Sequence, residues 1–110
     1  MLAISGNARI FLFQKPVDMR KGIEGLSILV EQDCPDELTS GAYFVFINRL
    51  KDRIKVLYWD HDGFAIWWKR LEKGSFRLLG IDRDLIDRKE FFMLLEGITP
   101  KKIQKRFRVR

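Results

Sequence analysis

Residues 42–71 read AYFVFINRLKDRIKVLYWDHDGFAIWWKRL, and this stretch decides the fold. It contains three runs rich in aromatic and β-branched residues, at 42–48, 54–59 and 64–71, as is typical of β-strands. The first run is apolar on both faces, which is typical of a central strand. The turn-forming segments RLKDR and DHDG separate the runs. We therefore predict an antiparallel meander at the centre of the fold.

The residues before the meander predict one strand and one helix. Arg9–Phe13 is a short apolar run that indicates a strand. Asp18 is a good helix N-cap residue, and apolar residues follow it at helical spacing, namely Met19, Ile23, Leu26, Leu29 and Val30. The helix is expected to end near Asp33, because Cys34 precedes a proline and is disfavoured in the helical conformation.

The residues after the meander predict a further strand and a second helix. Gly74 permits a chain reversal into a strand at Ser75–Leu79. Asp87 and Glu90 have the spacing of a capping box, and Gly97 is a natural helix stop. This order predicts an α+β fold, with a curled antiparallel sheet of about four to five strands and two helices packed on one face. We expect a single domain over residues 1–100 and a basic tail over residues 101–110.

The charge of the chain is unevenly distributed. The net charge is +6, yet the first hundred residues hold fifteen basic and fifteen acidic side chains. The tail KKIQKRFRVR holds six basic residues and no acid. Such a tail attracts polyanions, so the candidate DNA contacts include Lys101, Lys102, Lys105, Arg106 and Arg108. The alternative is a solvated tail that only aids solubility.

Further basic residues in the body of the chain are candidate phosphate contacts. Arg20 and Lys21 fall in the first turn of the predicted helix, where backbone N–H groups and cations together favour a phosphate. Six others lie on the predicted hairpins: Arg49, Lys51, Arg53, Lys55, Lys69 and Arg70. Basic loops grip phosphates, and a two-stranded ribbon fits the major groove. The alternative is that these cations are solvated or protect exposed strand edges.

The candidate catalytic residues are three carboxylates, Asp60, Asp62 and Glu72, because hard oxygen ligands suit Mg²⁺. Acids in turns more commonly hydrogen-bond their own backbone. Glu72 also follows a predicted strand that spans about 26 Å. The single His61 and single Cys34 exclude paired-histidine and clustered-cysteine metal motifs. We therefore expect no catalytic site, no metal and no cofactor, and a protein that is not an enzyme.

The apolar segments predict a cytoplasmic protein without a membrane partner. The N-terminal sequence MLAISGNARIFLF has neither the charged region nor the cleavage site of a signal peptide. The longest apolar run, residues 42–47, is far shorter than the roughly 18 residues of a membrane helix.

Several pieces of the sequence together resemble a known family. The pieces are DMRKG at 18–22, WDHDG at 59–63, KRLEKG at 69–74 and LLEGI at 94–98. With these pieces in this order, roughly residues 9–98 are similar to the TnpB accessory proteins of insertion-sequence family 66, which differ from the RNA-guided nuclease of the same name. The sequence departs from the family after Phe76, where tryptophan and proline are usual and Arg77-Leu78 stands instead. The basic tail lies outside the resemblance.

The resemblance implies a transposition accessory factor, encoded beside a separate transposase that carries the acidic catalytic residues. Our leading hypothesis is a DNA-binding accessory protein, with the element ends and the transposase of the same element as partners. The second is a protein-interaction adaptor for the transposase, in which the aromatic sheet supplies the contacts. The third is a metal-dependent nuclease using Asp60, Asp62 and Glu72. One continuous basic face favours DNA binding, and scattered charges favour the adaptor.

Overall fold

The computed structural model describes residues 4–78, 81 and 83–96. Its elements follow the order β1 (Ile10–Leu12), α1 (Ile23–Asp33), a 3-10 turn (Pro35–Glu37), β2 (Tyr43–Ile47), β3 (Arg53–Asp60), β4 (Gly63–Arg70), β5 (Leu85–Ile86) and α2 (Arg88–Leu95). The strands form one sheet in the order β4-β3-β2-β1-β5. The predicted α+β fold with a five-stranded sheet and two helices is confirmed.

Three strands of the predicted meander form, but the sheet is mixed. Strands β2, β3 and β4 pair antiparallel, with Val45 opposite Val56 and Val56 opposite Trp67. Strand β1 instead pairs parallel with β2, while β5 pairs antiparallel with β1. The parallel pair follows from chain order, because α1 lies between β1 and β2 and returns the chain in the same direction.

The two helices cover opposite faces of the sheet rather than one shared face. Leu26 and Val30 of α1 belong to the same apolar cluster as Phe44 of β2. Phe91 of α2 belongs to a second cluster, which includes the next strand residue, Val45. Successive strand residues point to opposite faces. Strand β2 therefore has apolar side chains on both faces, and one helix covers each face.

The first helix starts later than predicted. It begins at Ile23, and its N-cap is Gly22, without a side-chain hydrogen bond. The prediction that Asp18 caps the helix is wrong, because its carboxylate accepts from the backbone N–H of Arg20 at 2.9 Å and closes a local turn. Arg20 and Lys21 therefore precede the helix and are not in its first turn. The predicted end near Asp33 is confirmed, with Cys34 as the C-cap.

The second helix begins as predicted. The Asp87 carboxylate accepts from the Glu90 N–H at 2.7 Å, and the Glu90 carboxylate accepts from the Asp87 N–H at 2.9 Å. The predicted stop at Gly97 lies outside the described residues, as does the basic tail. The predicted strand at Ser75–Leu79 is wrong over residues 75–78, which form no strand. Phe76 instead inserts its buried ring into the core.

Candidate nucleic-acid interface

The turn between β2 and β3, residues 48–52, carries two of the predicted cations and is called the basic turn below. The side-chain oxygen of Asn48 accepts from the backbone N–H groups of Asp52 and Arg53, each at 3.0 Å. Its side-chain nitrogen donates to the Asp52 carboxylate at 2.7 Å. Lys51 takes the left-handed conformation, with φ of 59°. This network holds the turn in one shape and leaves Arg49 at its surface.

The chain that follows β4 fixes the basic turn to the rest of the fold. The backbone N–H of Leu71 donates to the carbonyl oxygen of Asp52 at 2.8 Å. The N–H of Phe76 donates to the carbonyl oxygen of Lys51 at 2.6 Å. Because the Phe76 ring is buried, the turn is anchored to the core and not only to its own two strands.

Two cross-strand pairs extend the basic turn onto the sheet. Arg53 lies directly opposite Arg70, and Lys55 lies directly opposite Trp68. Along β3 and β4 these four residues alternate with residues that pack against α2. They therefore lie on the other face of the sheet, which is the face covered by α1. The Trp68 side of this face is open, since 60% of that residue is exposed.

The segment before α1 forms the opposite wall. The Lys55 ammonium donates to the backbone oxygens of Met19 at 2.7 Å and Lys21 at 2.8 Å, which ties this segment to β3. The Arg20 guanidinium donates to both carboxylate oxygens of Asp18 at 2.7–3.1 Å. These side-chain hydrogen bonds, followed by the Arg20 backbone N–H, lower the pKa of Asp18 from 3.8 to about 2.

The basic turn, the two cross-strand pairs and the segment before α1 line an open hollow of about 1000 Å³, called the basic hollow below. Its lining holds five cations and one carboxylate, Asp18. The cations are Arg20, Arg49, Arg53, Lys55 and Arg70. Arg70 pairs with Glu72 at 3.2 Å. Among the described residues, neither Arg49 nor Arg53 has an ion-pair partner.

Comparison with known proteins identifies the family. The family model TnpB_IS66, described as IS66 Orf2 like protein, matches residues 8–105. The chain belongs to the IS66 Orf2-like family. It is therefore an insertion-sequence accessory protein, from a family that is not known as catalytic. The match reaches residue 105 and so includes the first half of the basic tail, which the resemblance seen in the sequence had left out.

Two relatives from Sinorhizobium fredii support this assignment. The uncharacterized protein y4jC is 30% identical over 108 residues, which cover 96% of this chain and 92% of the relative. The uncharacterized protein y4hO is 32% identical over 76 residues, which cover 69% of this chain and 66% of the relative. No solved structure matches the chain.

The structure of this IS66 Orf2-like protein brings together five of the eight predicted cations in the body of the chain. The other three lie outside the lining of the basic hollow. Lys51 is exposed in the basic turn, and Lys21 lines a second hollow beside β1 and α1. Lys69 points to the α2 face, where its ammonium lies 3.5 Å from the backbone oxygen of Leu95. The tail cations Lys101, Lys102, Lys105, Arg106 and Arg108 lie outside the described residues.

Two apolar residues of the hollow were not among the predicted contacts, although Trp68, like Trp59 and Trp67, is a candidate for base stacking from the sequence. Leu50 is 75% exposed and Trp68 is 60% exposed, which makes them the two most exposed large hydrophobic residues in the described part of the chain. Both line the basic hollow. The sequence contains a signal for Leu50, which lies in a turn between Arg49 and Lys51. For Trp68 the sequence shows only that it and the adjacent Trp67 face opposite ways.

The predicted nuclease carboxylates are not brought together. Asp60 ends β3 and Asp62 lies in the turn that follows, where the Asp62 N–H donates to the Asp60 backbone oxygen at 2.6 Å. Glu72 lies beyond the other end of β4, beside Arg70. Across residues 4–78, 81 and 83–96, no three His, Cys, Asp or Glu side chains are grouped to hold a metal ion. The helices within these residues are all too short or too polar to cross a membrane.

Proposed function

We propose that this protein is a DNA-binding accessory factor that assists transposition without catalysing it, and that the basic hollow contacts the DNA. One observation carries the proposal. Five cations surround the two large apolar side chains that the described part of the molecule leaves most exposed. Cations supply affinity for phosphates, and exposed apolar groups suit contacts with bases.

The placement of Arg53 opposite Arg70 supports an anionic ligand. Like charges directly opposite on paired strands destabilise a sheet, and here only Arg70 has a compensating partner, Glu72. A phosphate bound between the two guanidinium groups removes that repulsion. Arginine also suits this role because its planar group donates two parallel hydrogen bonds to phosphate oxygens.

The same proposal assigns the partners. We infer that the DNA is an end of the insertion sequence and that the transposase of the same element supplies the catalytic carboxylates. The basic tail adds sequence-independent affinity through its six cations. The protein acts in the cytoplasm, where the element's DNA lies.

The transposase adaptor is the second candidate, because tryptophan and arginine also anchor protein interfaces. The distribution of charge favours DNA. Five of the eight predicted body cations share one hollow, whereas an adaptor needs no such concentration of one sign.

A salt series on DNA binding tests the proposal. The affinity for the element's terminal DNA and for random DNA is measured with the full chain, with residues 101–110 deleted, and with Arg49→Gln combined with Arg53→Gln. Lys89→Gln is the matched control, because Lys89 is an exposed cation on α2, on the other face of the sheet.

We expect each phosphate contact to contribute about 0.9 to the slope of log affinity against log salt. Tail deletion should lower that slope by about 3 to 4, and the double variant by about 2. Lys89→Gln should leave the slope unchanged. A wild-type slope in the double variant would remove the hollow from the DNA interface. Failure of the full chain to bind DNA would favour the adaptor.

The nuclease alternative has its own test. We expect the purified protein to leave single-stranded and duplex DNA intact in the presence of Mg²⁺ or Mn²⁺, because Glu72 is separated from Asp60 and Asp62 by the length of β4. Metal-dependent nicking that is lost in Asp60→Ala or Asp62→Ala would instead establish a catalytic role.

A further inference from the structure

The position of Trp68 gives the basic hollow a feature that phosphate binding alone does not need. The residue stands on β4 opposite Lys55, and Arg70 lies two residues further along the same face. Its neighbour Trp67 turns to the other face and packs against the α2 core. The meander therefore packs one tryptophan, partly buried, against the core and presents the other among cations.

An intact DNA duplex offers little to such a side chain. In a duplex the flat faces of the bases are stacked on each other, and only the base edges and the phosphates are accessible. An unpaired nucleotide exposes the base face and carries its phosphate with it. Cationic grooves with exposed aromatic side chains are typical of proteins that bind single strands.

We propose that the basic hollow binds an unpaired nucleotide of a DNA strand, with the base stacked on Trp68 and the neighbouring phosphates held by Arg49, Arg53 and Arg70. This inference rests on the proposed DNA-binding function and makes it more specific. The hollow of about 1000 Å³ has room for a nucleotide. Leu50, exposed at the rim, supplies a second apolar contact for the base or its neighbour.

Charge favours a nucleic-acid strand over a protein segment as the occupant. The lining holds five cations and one carboxylate, Asp18, which pairs with Arg20, and Arg70 pairs with Glu72 outside the lining. Arg49 and Arg53 have no ion-pair partner among the described residues. A DNA strand supplies one phosphate per nucleotide to these groups, together with a base for the aromatic ring.

The test compares one sequence from the element's end in two forms, as a single strand of about 12 nucleotides and as a hairpin-closed duplex. Trp68→Ala should weaken binding of the single strand by about 5- to 150-fold, the loss expected for one stacked base. Binding of the duplex should change by less than about two-fold, because the phosphate contacts remain. Trp68→Phe should retain most of the single-strand affinity, since an aromatic face is kept.

Two controls separate stacking from damage to the fold. Ile28→Ala removes an exposed apolar side chain of α1 that does not line the hollow, and it should change neither affinity. Single-stranded DNA should quench the tryptophan fluorescence of the wild type, and Trp68→Phe should remove most of that quenching. If Trp68→Ala does not fold, as seen by thermal melting, the fluorescence comparison with Trp68→Phe decides.

The outcomes distinguish this inference from the proposed function. Salt-dependent DNA binding in which Trp68→Ala affects both forms equally, or neither, would overturn the inference and leave the DNA-binding function standing. Tighter binding of single-stranded RNA of the same sequence would also overturn it. If the full chain binds neither form of DNA, both proposals fail together.

Discussion

The two turns at the ends of β3 have the same task but are built differently. Each reverses the chain between antiparallel strands, and each contains a non-glycine residue with φ of 59°, Lys51 in one and His61 in the other. The basic turn is held by three hydrogen bonds of the Asn48 side chain. In the acidic turn, residues 60–63, the side chains of His61 and Asp60 instead approach each other only to 4.0 Å.

The anchoring from outside also differs. Backbone N–H groups of Leu71 and Phe76 donate to the basic turn, whereas the acidic turn has one internal bond, from Asp62 to Asp60. The better-anchored turn is the one that carries Arg49 and Leu50 into the hollow. A site held in its binding shape loses less conformational freedom when a ligand binds. This difference in anchoring is what the proposed function requires, because the basic turn would have to hold a ligand whereas the acidic turn only reverses the chain.

The largest expected effect comes from breaking the basic turn. Asn48→Ala removes three hydrogen bonds at a partly buried position and leaves the N–H groups of Asp52 and Arg53 without that acceptor. We expect a loss of about 2–3 kcal/mol in the free energy of unfolding, measured by urea denaturation. The matched change in the acidic turn, Asp62→Ala, should stay within about 0.5 kcal/mol. Equal losses in the two variants would contradict the comparison.

Local sequence signals predicted most of the elements. The meander, the end of α1 and the capping box of α2 depend on residues close together in the chain, and all three are confirmed. The predicted start of α1 is wrong because the Asp18 carboxylate can accept a hydrogen bond either as a helix cap or within a local turn. In the structure it accepts from the Arg20 N–H in the turn. The parallel pairing of β1 with β2 depends on contacts between distant residues, which periodicity does not encode.

The candidate site was predictable in charge but not in shape. The cations of the hairpins were visible in the sequence, yet the spacing did not show that Lys69 faces α2 while Arg70 faces the hollow. That assignment depends on which face of β4 each helix covers. The same fact decides which of Trp67 and Trp68 faces the hollow. The structure was therefore needed to identify Trp68 as the aromatic residue of the site.

A smaller effect tests Arg53 as a phosphate contact. Its substitution should raise stability and at the same time weaken the salt dependence of DNA binding. Arg53→Gln removes the repulsion of Arg70 across the β3–β4 pair. The free energy of unfolding should rise slightly, by less than about 1 kcal/mol, because Glu72 already compensates part of the Arg70 charge. The salt slope of DNA binding should nevertheless fall by about 0.9, the contribution of one phosphate. If the variant is more stable and binds DNA as the wild type does, Arg53 is not a phosphate contact.

The smallest effect concerns Asp18, the one carboxylate among the lining residues of the hollow. Its pKa lies at about 2 in the folded protein, below its ordinary 3.8, chiefly because the Arg20 side chain hydrogen-bonds the ionised form. A lowered folded pKa contributes stability that is fully present above the unfolded value and is lost as the pH falls from about 4 to about 2. The contribution should be small, because the Arg20 side chain is 91% exposed and solvent screens the pair.

In Arg20→Gln we expect the pKa of Asp18 to return towards 3.8, measured by NMR titration of its carboxyl carbon. The acid-dependent loss of stability between about pH 4 and pH 2 should become shallower in this variant, and Asp18→Asn should remove the contribution of this group. The backbone N–H of residue 20 remains in both proteins and still donates to the carboxylate. A pKa that stays near 2 in Arg20→Gln would therefore show that this N–H, and not the guanidinium, stabilises the ionised Asp18. Arg20 would then be only weakly coupled to Asp18, and exchanging that carboxylate for a phosphate of a DNA strand would cost little.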